Sequence, residues 1–77
     1  MLRKYKPRIT KHDRKVGKRI RGLRKGEGLT QEKLADMVNI SAQHLCYIEN
    51  GRRRPSLPLV RRLARVLKTN LGKLLAP

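Results

Sequence analysis

The sequence has no Phe, no Trp and only two Tyr. Its interior must therefore be aliphatic, built from Leu, Ile, Val, Met and Ala. Acidic residues are nearly as scarce: 5 Asp and Glu stand against 21 Lys and Arg, for a formal charge of +16. Such an imbalance repels itself and is tolerated most easily beside a polyanion. Nucleic acid, an anionic membrane and an acidic protein are the candidate partners. The single Cys46 excludes an internal disulfide and suggests a reducing, cytoplasmic setting. No apolar run approaches the roughly 18–20 residues of a membrane span. The basic N-terminus is followed by no apolar stretch of the kind a secretory signal needs. There is no Ser/His/Asp set, no metal-ligand cluster and no phosphate loop, so the expectation is a binding protein without catalytic residues, metal or cofactor. A chain of 77 residues is one small domain that buries only about 60% of its unfolded surface, so its core must be economical.

What is present reads as helix throughout. Residues 1–12, MLRKYKPRITKH, lack apolar periodicity and read as a basic, flexible arm, with Pro7 disfavouring helix at Lys6. Residues 13–77 are the expected domain. Asp13 is the expected N-cap of a first helix running to about Lys25, with Val16, Ile20 and Leu23 as its apolar stripe. Gly17 and Gly22 each weaken that helix by about 1 kcal/mol relative to Ala. Gly28 is the expected left-handed cap beyond it. Thr30 opens a second helix with Leu34, Met37 and Val38 inward, and Glu32 suits its N-terminal dipole.

Residues 31–50 form the centre of the chain. Asn39 supplies the positive φ that a sharp helix–helix turn needs, second only to Gly in that role. Ser41 caps a third helix running to Asn50, and Gly51 closes it. On a helical wheel at about 100° per residue, Ala42, Gln43, Cys46, Tyr47 and Asn50 share one arc, Ser41, Leu45 and Ile48 lie opposite, and His44 and Glu49 flank them. The free face is polar, small and uncharged, unlike an ordinary solvated helix face. Arg52, Arg53 and Arg54 form a basic loop. Ser56 caps a fourth helix with Leu57, Val60, Leu63, Ala64 and Leu67 inward, and Asn70 caps a short fifth helix over residues 71–75.

These features bring a resemblance with them. IRGLRKGEGLTQEKLA, the turn VNIS, YIENGRRRPS and LVRRLARVL make the segment from about Val16 to Leu75 resemble the helix-turn-helix domain of the lambdoid phage repressors and Cro, the XRE-type family. The resemblance implies an all-α, compact five-helix domain of the lambda-repressor type that binds double-stranded DNA in sequence-specific fashion and regulates transcription as a repressor. It implies that Ser41, Ala42, Gln43 and Tyr47 face base edges, with Cys46 on the same face. It implies that Gln31, Asn50 and the Arg52, Arg53, Arg54 loop meet phosphates, and that Arg24 and Glu49 pair to tie the first helix to the third. Asn39 stands where many relatives have Gly.

Gln43 has the chemistry for a bidentate contact with adenine, whereas the third helix carries no Lys or Arg for an arginine–guanine fork. Helix-turn-helix proteins usually dimerise on two half-sites; Leu71, Leu74 and Leu75 are the candidate homodimer contacts, or else they close the monomer core. The alternative is an antitoxin that masks a toxin partner as well as binding operator DNA. A polymerase contact is a further possible partnership. RNA is disfavoured by the scarcity of aromatics for base stacking, and a membrane partner by apolar stripes sized for a globular core.

Overall fold

The computed structural model describes residues 8–77. Among them are five helices and no strand: α1 Lys11–Gly26, α2 Gln31–Met37, α3 Ala42–Glu49, α4 Leu57–Val66 and α5 Leu71–Leu75. The first seven residues of the expected arm lie outside the described residues.

Local chemistry marks each helix start. Thr10, Thr30, Ser41, Ser56 and Asn70 are the N-caps, and each side-chain oxygen accepts from the backbone N–H three residues on. The first of these corrects the expectation at Asp13. Thr10 is the cap, and Asp13 sits at the third helical position and reaches back, its Oδ2 accepting the Thr10 N–H at 2.8 Å. The pair is a capping box with Asp in the place usual for Glu or Gln. Lys11 and His12 are therefore helical and not part of the arm.

The helix ends are equally systematic. α1 to α4 each finish in a Schellman motif, with Gly28, Asn39, Gly51 and Lys68 in the left-handed position at φ of 70°, 61°, 72° and 58°. The closing bonds run from Leu29 to Arg24, Ile40 to Ala35, Arg52 to Tyr47 and Thr69 to Ala64, at 2.8–3.1 Å. Leu29 and Ile40, just past two of these turns, fold back onto the core. The other open carbonyls are capped from a distance. Arg62 on α4 donates to the Val38 carbonyl at the end of α2 (3.1 Å), and Arg19 on α1 donates to the Leu74 carbonyl of α5 (3.1 Å).

The core is aliphatic as expected, with Val16, Ile20, Leu34, Val38, Leu45, Ile48 and Leu63 at its centre. Two expected core positions are not in it. Met37 is 49% exposed and Leu57 51% exposed. On α2 the buried arc is set by Leu34, Val38 and the small Ala35, and Met37 lies about 100° from its middle. On α4 Leu59 takes the inward place, and Leu57 lies about 90° from the centre of that arc. Leu74 is 1% exposed and closes the monomer core, which removes it from the candidate dimer contacts; Leu71 and Leu75 are half-buried.

α1 crosses the end of α3 at Gly17. A Cβ there would lie 2.2 Å from the Ile48 carbonyl oxygen and 3.0 Å from that of Glu49. Gly17 thus does more than weaken a helix: it lets two backbones meet, which fixes α3 against α1.

No helix among the described residues is long and apolar enough to cross a membrane.

Candidate nucleic-acid interface

α3 presents two chemically distinct sides. Leu45, Ile48 and Glu49 are buried. Gln43 and Asn50 are exposed, Ala42, Cys46 and Tyr47 are half-buried on the same side, and the capping Ser41 sits at its head. The open side carries its own hydrogen bonds. Gln43 Nε2 donates to the Tyr47 hydroxyl oxygen at 2.9 Å, and Asn50 Nδ2 donates to Cys46 Sγ at 3.3 Å. Ser41 Oγ accepts the His44 N–H, leaving its own O–H to donate outward. The Gln43 bond uses one amide N–H and leaves the second N–H and the carbonyl oxygen without a protein partner among the described residues.

The buried side is anchored by one carboxylate. Arg24 grips Glu49 as a fork, Nε to Oε2 at 2.8 Å and Nη2 to Oε1 at 3.0 Å, with the Glu49 side chain fully buried. Gln31 Nε2 adds a third bond to Oε1 at 3.0 Å, and Arg24 Nη1 donates to the Leu29 carbonyl at 2.8 Å. A buried ion pair offsets its desolvation only when the remaining donors and acceptors are satisfied, and here they are. α1, α2 and α3 therefore meet on Glu49. Gln31 is only half-buried, and its side-chain carbonyl oxygen and second N–H make no further bond among the described residues.

Beside this anchor lies an open groove of about 710 Å³ lined by Arg21, Gln31, Glu32, Ala42 and Asn50, among others. Arg21 was not among the sequence-derived candidates. Its signal was available: it precedes Arg24 by three residues and so shares that side of α1. It brings an exposed cation to the two expected phosphate contacts, Gln31 and Asn50.

The three loop arginines separate in role. Arg54 turns back, with Nε on Asp13 Oδ1 at 3.0 Å and Nη2 on both Asp13 Oδ2 and the Arg8 carbonyl. The Arg54 guanidinium holds the Asp13 carboxyl below the ordinary 3.8; burial opposes this, and the Thr10 donors add to it. Arg54 thus fastens the loop to the head of α1, a pairing across 41 residues. Arg52 and Arg53 are exposed. Arg53 lines a hollow of about 200 Å³ together with Ser41, Gln43, His44 and Tyr47. The sequence resemblance implies a phosphate contact for it, together with Arg52 and Arg54, and gives no sign of this position beside Gln43 and Tyr47.

Charge is divided accordingly. Of the five acidic residues, Asp13 and Glu49 are buried against arginines, while Glu27, Glu32 and Asp36 remain exposed. Among the described residues no group of three or more His, Cys, Asp or Glu could hold a metal ion.

A helix-turn-helix family model matches residues 20–74. The chain is 50% identical over 48 residues to an uncharacterized HTH-type transcriptional regulator of Methanothermobacter thermautotrophicus, covering 62% of this chain and 70% of that protein. It is 42% identical over 52 residues to the immunity repressor protein of Bacillus phage phi105, covering 68% of this chain but 36% of the repressor. Among solved structures, the restriction-modification controller protein C.AhdI from Aeromonas hydrophila superposes with a TM-score of 0.76 at 34% identity, over 80% of this chain and 94% of that one.

Proposed function

This chain belongs to the helix-turn-helix family of DNA-binding transcriptional regulators, and we propose that it acts as a repressor whose α3 reads the major groove of a specific operator. The observation that carries this reading is the outer side of α3: small, polar and uncharged, on a helix locked from behind by the Arg24–Glu49 fork. A reading helix needs hydrogen-bonding groups aimed at base edges and a fixed position from which to aim them.

In this reading Gln43 addresses adenine with its second N–H and its carbonyl. Ala42 meets a thymine methyl, and Ser41, Cys46 and Tyr47 complete the face. Gln31, Asn50 and Arg52 grip phosphates, joined by Arg21 in the groove beside them. Arg54 serves the grip indirectly by fixing the loop. Phosphate contacts set register and affinity without carrying sequence information. The excess of cations supplies salt-dependent attraction from outside α3.

One helix reads few base pairs, so the protein works as a homodimer on two half-sites about 34–36 Å apart. Leu71 and Leu75, half-buried at the edge of the fold, are the residues left to meet a second copy. Bound this way in the cytoplasm, the protein represses by covering a promoter.

Selection of bound sequences from a random duplex library tests the reading. The expected result is one enriched motif with dyad symmetry. Recovery of sequences no different from the input would sink it.

A further inference from the structure

The neutral face of α3 leaves one gap. The commonest specific contact to a base is an arginine fork on guanine O6 and N7, which α3 does not carry. The loop behind it does. We propose that Arg53 is a base-reading residue, supplying from the α3–α4 loop the guanine contact that α3 lacks; this rests on the groove-binding reading given above.

Four observations converge. Arg53 lines the same hollow as Ser41, Gln43, His44 and Tyr47. It therefore stands on the reading side of α3, while Arg21 lines the groove at Gln31 and Asn50. The hollow has no carboxylate in its lining, and the Arg53 guanidinium is exposed with no protein partner among the described residues.

The loop is also held on both sides of Arg53. Before it, the Arg52 N–H bonds to the Tyr47 carbonyl at 2.8 Å, and Gly51 turns at φ 72° directly against Arg14, where a Cβ would strike Arg14 Cγ. After it, Arg54 is fastened to Asp13, and Pro55 is buried. A long side chain on an anchored backbone loses less freedom on binding than one on a mobile loop.

Finally, the neighbouring groups are complementary in kind. Tyr47 accepts from Gln43 and keeps its own proton to donate. Gln43 presents one donor and one acceptor to an adenine, and Arg53 presents two donors to an adjacent guanine. The preferred half-site should then contain an A·T pair beside a G·C pair, the first assigned to Gln43 and the second to Arg53.

The test is selection from a random duplex library with the wild type, Arg53→Ala, Arg53→Lys and Gln43→Ala, followed by affinity measurements on the selected and random duplexes across salt. Lysine keeps the charge but not the planar fork. The expected result for Arg53→Ala is loss of preference at one G·C pair by about 5- to 150-fold, next to the A·T pair that Gln43→Ala relaxes, while Arg53→Lys, which can still meet O6 and N7, keeps part of it. Affinity for random DNA and the salt slope should stay at the wild-type values. An unchanged base profile for Arg53→Ala, while Gln43→Ala still relaxes its own position, would overturn this inference and leave the groove reading standing. A phosphate role would appear instead in Arg53→Ala, as equal weakening on all sequences and a salt slope shallower by about 0.9. If the wild type itself enriches no motif, both readings fall together.

Discussion

Gly17 and Gly22 lie in the same helix, yet the same substitution should have opposite effects at the two sites. At Gly22 a Cβ meets nothing within 4 Å. Gly22→Ala therefore gains the helix-propensity difference of about 1 kcal/mol. For a domain of this size that is a rise in Tm of about 4–8 °C. Gly17→Ala gains the same propensity but puts its methyl 2.2 Å from the Ile48 carbonyl oxygen and 3.0 Å from that of Glu49. Both are backbone atoms, so no side chain can rotate away. To restore ordinary contact α3 must retreat by about 1 Å, and overpacking of this kind costs about 1–3 kcal/mol. The upper end applies, because the retreat also pulls Glu49 from the 2.8 Å Arg24 fork. The net effect is a loss of about 2 kcal/mol, or a fall in Tm of about 8–16 °C. Thermal unfolding of the two variants, followed by far-UV circular dichroism in one buffer, measures both. A Gly17→Ala protein that melts at or above the wild-type temperature would refute the close approach of α1 and α3.

Glu49→Gln leaves Arg24 buried without a counter-charge and should cost about 3 kcal/mol, read as a lower urea midpoint; an unchanged midpoint would make the pair dispensable. Lys68 holds φ 58°, and among the described residues its side chain makes only an exposed 3.7 Å contact with Glu27. Lys68→Gly should therefore raise stability by about 0.5–1 kcal/mol, and destabilisation would contradict the assignment of strain there. The Asp13 carboxyl is held below its ordinary 3.8 by Arg54. A lowered folded-state pKa gives stability that is fully present above 3.8 and is lost as pH falls through the folded value. The Tm gap between the wild type and Asp13→Asn should be widest near neutrality and close in strong acid; a gap that widens on acidification would reverse the sign.

The helix starts and stops were legible because they rest on single residues and their neighbours. Thr30, Ser41, Ser56, Asn70, Gly28 and Asn39 occupy the positions their chemistry implies. The exception was the start of α1, expected at Asp13: Thr10, three residues earlier, is the cap, and Asp13 reaches back to it and meets Arg54. Apolar stripes gave the right elements but not the right edges. Whether Met37 or Ala35, and Leu57 or Leu59, faces inward depends on the rotation of each helix against its neighbours. Lys68 carried no signal, since a left-handed lysine is imposed by the closure of α4 onto α5. On the interface, the outer face of α3 followed from periodicity alone. The sorting of three consecutive arginines did not, because it depends on Asp13, 41 residues away from Arg54, and on the turn at Gly51.

α3 contributes little but Leu45, Ile48 and Glu49 to the interior. Substitutions at exposed positions that touch no cap or buried network usually change stability by less than about 0.5 kcal/mol. Gln43 is such an exposed position and can therefore be exchanged while the anchoring residues stay as they are. A lineage of such proteins is free to acquire new operators through a few point changes, each passing through a folded intermediate. On the proposed reading, specificity rests on a position that the fold can easily spare.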